Sequence, residues 1–113
     1  MKSKILALSK NEEFKSLLKQ NKISNKYVTV YFGKLANKNK NKLNISFVTK
    51  KKIGNAVKRN KIKRRLRNIV NEATKNITLK FDYSYLVIAK PTMLNKEYTI
   101  IKETLFRDFE RIR

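Results

Sequence analysis

Between Lys50 and Arg67 the chain carries ten Lys or Arg and not one carboxylate. Within and just beyond that run, Ile62, Leu66, Ile69, Val70 and Ala73 fall on one narrow arc at helical spacing. No other feature restricts the fold so strongly. The spacing predicts a long helix over about 55–76, with Asn60, Lys61, Arg64, Arg67 and Asn68 pointing away from the stripe and Arg59, Lys63 and Arg65 on its flanks. The stripe requires a core beneath the helix; the charge requires a polyanion outside it. A merely solvated face mixes Glu with Lys to gain pairs at i and i+4, yet after Glu13 the next acid is Glu72. Arginine forks grip phosphate oxygens two at a time, so this ridge suits a nucleic-acid backbone.

The rest of the composition narrows the choice further. The net charge is +21 over 113 residues, which makes a free compact state self-repelling and sensitive to salt. Apolar residues still make up 41%, enough for one core and a single domain spanning 1–113. There is no Cys and no His, which excludes disulfides, thiolate and imidazole chemistry and the usual zinc sites. The eight acids are scattered, so no catalytic carboxylate set is visible. No apolar run approaches the roughly 20 residues of a membrane span, and "ILAL" is too short for a signal-peptide core. A soluble cytoplasmic protein without membrane contact is expected.

Elsewhere the pattern predicts α, β, β, α, β, α. Ser9 and Glu12 have capping-box spacing ahead of Phe14, Leu17 and Leu18, which places a helix at about 9–20. "KYVTVYF" reads as a strand with Val28, Val30 and Phe32 on one face and Tyr27, Thr29 and Tyr31 on the other. "GKLANKNKNK" reads as a hairpin connection to a second strand, "LNISFVTK". "YSYLVIAKP" is a buried strand closed by the only proline, and Asn95 is placed to cap a last helix with its stripe at Tyr98, Ile101, Leu105, Phe109 and Ile112. A sheet of about three or four strands packed on helices follows. The strand–helix–strand crossover would be right-handed by the general rule.

A second constellation is weaker. Phe14, Leu18, Tyr27 and Tyr31 could line an open aromatic groove in which unpaired bases stack. Ordinary packing between helix and sheet accounts for the same spacing, and is favoured by it.

The run "KKKIGNAVKRNKIKRRLRNIV" resembles the signature of the bacterial ribonuclease P protein family, an Arg-Asn-Arg core in a basic helix after a lysine-rich strand end. "NEEFKSLLK", "NKYVTVYF" and "YLVIAKP" agree with it, so the likeness covers nearly the whole chain. The resemblance implies an α+β fold, an αββαβα sandwich with a small central sheet and the rare left-handed βαβ crossover of the ribosomal protein S5 domain 2-like type. It implies a protein subunit that binds a catalytic RNA and the single-stranded 5′ leader of precursor tRNA. The endoribonuclease chemistry, with its magnesium, would be carried by the RNA, and the protein would be a monomer within the holoenzyme. Lys50, Lys51, Arg59, Asn60, Lys61, Lys63, Arg64 and Arg67 would meet the catalytic RNA, with Lys61 standing where the family usually has arginine. Phe14, Leu18, Tyr27 and Tyr31 would form the leader groove, Leu18 replacing a second aromatic. A ribosomal or general RNA-binding protein without a catalytic partner is the alternative.

Overall fold

The structure is a computed structural model and describes residues 5–8, 11–36 and 41–112. The basic run forms helix α2, Ala56–Asn76, and each of Ile62, Leu66, Ile69, Val70 and Ala73 is buried along it. Asn55 caps it, its side-chain oxygen accepting from the Lys58 N–H at 3.0 Å. The remaining elements are β1 (Ile5–Leu6), α1 (Glu12–Leu18), β2 (Asn21–Ser24), β3 (Val28–Gly33), β4 (Leu43–Val48), β5 (Ser84–Ala89) and α3 (Tyr98–Arg111).

One five-stranded mixed sheet runs in the order β1-β4-β5-β3-β2. This corrects the expected hairpin: β3 and β4 are not neighbours, because β5 lies between them, antiparallel to β3 and parallel to β4. The physical reason is apolarity. β5, Ser-Tyr-Leu-Val-Ile-Ala, is the strand with most to bury on both faces, and the central position covers both. Two strands beyond the expected set also appear. β2 pairs with β3 through a turn in which the Asn25 side chain accepts from the Tyr27 and Val28 N–H groups at 2.7 and 3.0 Å. β1 adds only two residues to the far edge, alongside Leu43 and Asn44.

The main core lies between one face of the sheet and helices α2 and α3. Val28, Val30 and Phe32 of β3, Leu43 and Ile45 of β4, and Tyr85, Val87 and Ala89 of β5 meet the helical stripes there. Tyr85 packs edge-on to Phe109 at 5.9 Å between ring centres and donates to the Lys80 carbonyl at 2.8 Å. Burial, with Asp82 nearby, pushes its phenol well above the ordinary range. Glu72 ties the two helices together by accepting from Tyr98 at 3.0 Å and facing Lys102 at 3.7 Å. Burial first, and this hydrogen bond second, push the Tyr98 phenol up to about 12.

Two helix starts differ from expectation. α1 begins at Glu12 after Asn11, whose side chain makes no capping bond, and Ser9 lies outside the described residues. Asn95 does not cap α3. Pro91 opens a short 3-10 turn, Pro91–Asn95, that buries Met93, so the last helix cannot begin until after Glu97.

Candidate nucleic-acid interface

Helix α2 presents its charge as sequence spacing requires. Asn60, Lys61, Arg64, Arg67 and Asn68 are exposed, while Arg59, Lys63 and Arg65 are half-buried on the flanks. Among the described residues no Lys or Arg from 50 to 67 makes an ion pair; the described pairs are Lys34–Asp82, Lys102–Glu72 and Arg111–Asp108. Arg65 is the one flank residue with a described partner outside its own helix, the Lys96 carbonyl at 3.4 Å. The Nε of Arg59 is buried and has no acceptor among the described residues. A buried donor left open is costly.

The lysines ahead of the helix are placed by a 3-10 turn, Lys51–Ile53. Ile53 is buried and anchors the turn, so Lys50, Lys51 and Lys52 stay exposed. Gly54 then adopts φ +148°, where a Cβ would also come within 2.8 Å of the Lys58 side chain. This backbone step lets a strand end turn directly into the basic helix.

On the other face of the sheet, α1 covers only part of the surface. Leu17 is fully buried against Leu86, with Phe14, Tyr31, Val48 and Ile88 half-buried around them. Phe14 and Tyr31 therefore come together as expected, with edges left accessible. Leu18 does not join them; it stands 46% exposed. Tyr27 is a correction: at 7% exposure it belongs to the main core with Val28 and Val30. It precedes β3, and the Asn25 turn holds its backbone, so strand alternation begins only at Val28.

The groove continues into a cleft of about 220 Å³ lined by Thr29, Tyr31, Lys50, Lys52, Ile88, Lys90 and Pro91. Lys50, expected on the helix side, thus also faces the groove. Lys90 was not among the expected residues. Its ammonium is fixed by Ser24 Oγ at 2.9 Å and the Asn25 carbonyl at 2.6 Å, a tether between β5 and the β2–β3 turn. Nothing local in the sequence marks that tether, because it closes across more than sixty positions of chain. Asn25 is itself held from α3, donating to the buried Asp108 at 2.6 Å.

A helix face of cations with no acid among them, beside a half-covered aromatic groove on a mixed sheet, defines an α+β domain whose surface suits a nucleic-acid backbone. The ribonuclease P family model matches residues 3–113. The ribonuclease P protein component of Carboxydothermus hydrogenoformans is 36% identical over 102 residues, covering 87% of this chain and 83% of that protein. The same component of Bacillus pumilus is 33% identical over 105 residues, covering 92% and 85%. Among solved structures, the RNase P protein from Thermotoga maritima shares the fold with a TM-score of 0.80 at 24% identity, covering 96% of this chain and 98% of that one. An RNase P protein of Staphylococcus aureus matches with a TM-score of 0.76 at 25% identity, covering 94% and 93%. The chain belongs to the ribonuclease P protein family.

Proposed function

We propose that this chain holds the catalytic RNA of ribonuclease P on the exposed face of α2 and guides the 5′ leader of precursor tRNA through the groove between α1 and the sheet. The observation that carries this reading is the run of cations on α2 with no acid to neutralise it, next to accessible Phe14 and Tyr31. Arg59, Lys61, Lys63, Arg64 and Arg67 would replace the counterions of RNA phosphates, while Phe14 and Tyr31 would stack leader bases. Lys50, Lys52 and Lys90 would meet the leader's phosphates where it leaves the groove.

The protein contributes positioning rather than bond cleavage. Among the described residues no three His, Cys, Asp or Glu side chains come together. The proposal leaves magnesium and the cleavage step to the RNA. No helix of the described residues is long and apolar enough to cross a membrane. The test is precursor-tRNA cleavage at low magnesium with the protein alone, the catalytic RNA alone and both together. Cleavage restricted to the mixture is the expected result. Equal cleavage by RNA alone would remove the proposal, and cleavage by protein alone would require an active site of its own.

A further inference from the structure

Strand β1 pairs only with Leu43 and Asn44, so from Ile45 to Val48 the outer edge of β4 has no strand partner among the described residues. Past β1 the chain lifts off the edge, held by the Leu8 N–H donating to Ser46 Oγ at 2.8 Å. Between this segment and α2 lies an open cleft of about 530 Å³. Phe14 and Ala7 close one side, Phe47 and Thr49 lie along the strand, and Lys63 and Arg67 stand over the other side. The Thr49 hydroxyl oxygen is buried and has no partner among the described residues.

We infer that this edge cleft takes one unpaired nucleotide of the catalytic RNA, at a pocket along the β4 edge that shares Lys63 and Arg67 with the α2 ridge and Phe14 with the rim of the leader groove. It rests on the RNA-binding reading above, and it adds a pocket for a base where that reading has only a backbone contact. The chemistry matches a nucleotide in three ways. Phe14 and Phe47 give apolar and aromatic surface for a base. The free strand edge offers N–H and C=O groups of the kind a base edge pairs with. Lys63 and Arg67 lie one helical turn apart on α2, spaced to hold the phosphates on either side of a base turned into the cleft, and no acid lines the cleft to oppose them. Because both cations belong to α2, the occupant comes from the RNA that α2 binds and not from the leader.

The test is 2′-hydroxyl probing of the catalytic RNA assembled with wild-type protein, with Ala7→Trp and with Phe47→Leu, which removes the ring and keeps an apolar side chain. Ala7 is exposed at the cleft wall, so a tryptophan there fills the cleft without entering the core. The expected result is one unpaired nucleotide that wild-type protein protects and Ala7→Trp leaves reactive, with the other protections kept. Affinity for the catalytic RNA should fall about tenfold, the weaker end of losing one stacked base. Phe47→Leu should raise reactivity at the same nucleotide. If Ala7→Trp loses every protection through misfolding, the Phe47→Leu result decides, because Phe47 belongs to neither the α2 ridge nor the leader groove. Unchanged reactivity and affinity in both variants would overturn the site, as would a change seen only when leader-bearing precursor is present. If wild-type protein protects no nucleotide at all, the RNA-binding reading fails as well.

Discussion

The two faces of the sheet receive consecutive residues of the same strands and are treated in opposite ways. Val28, Val30 and Phe32 point into a core sealed by the 21 residues of α2 and the 14 of α3. Thr29 and Tyr31, their immediate neighbours, face a surface that the seven residues of α1 cover only in part. The short helix is the device that makes a binding face. A longer α1 would bury Tyr31 and Ile88 and turn the groove into a second core. The lesson extends to α2, where Leu66 is sealed inside and Arg64, two positions earlier, stands in solvent.

This contrast should appear most strongly in stability. Leu66→Ala removes a fully buried side chain from the sealed face and should lower unfolding free energy by about 2–5 kcal/mol in a denaturant titration. A loss as small as that of a surface substitution would mean that α2 is not anchored as described. Tyr31→Ala should act mainly on recognition. It should reduce the preference for precursor over mature tRNA by about 1–3 kcal/mol while catalytic-RNA affinity holds; equal weakening for both tRNAs would take Tyr31 out of the leader path. The smallest effect belongs to Arg64→Ala, which should make the slope of log affinity against log salt shallower by about 0.7–0.9, one phosphate contact. An unchanged slope would mean that Arg64 touches no phosphate.

The parts of this fold that were legible in the sequence are those written in local spacing. Helix α2 was read nearly to the residue because its apolar period and its acid-free basic run up to Arg67 lie within one stretch of chain. β1 and β2 were missed because a two-residue strand and the polar Asn-Lys-Ile-Ser carry almost no alternating signal, and only their neighbours make them strands. The place of β5 between β3 and β4 was hidden for a related reason: pairing is decided by burial on both faces, a property of the assembled sheet. In the candidate site, Phe14 and Tyr31 followed from helix and strand periods. Tyr27 did not, because a side chain from Asn25 delays the start of the strand by one residue. Lys90 could not, since its neighbours arrive from a distant turn.

The position of β5 also has a consequence for how the protein is made. During translation β3, β4 and the whole of α2 leave the ribosome before the strand that joins them, so none of the sheet's central pairings can form until Ser84–Ala89 has emerged. Until then the nascent chain is a polycation with its apolar stripe uncovered, held beside a particle built largely of RNA.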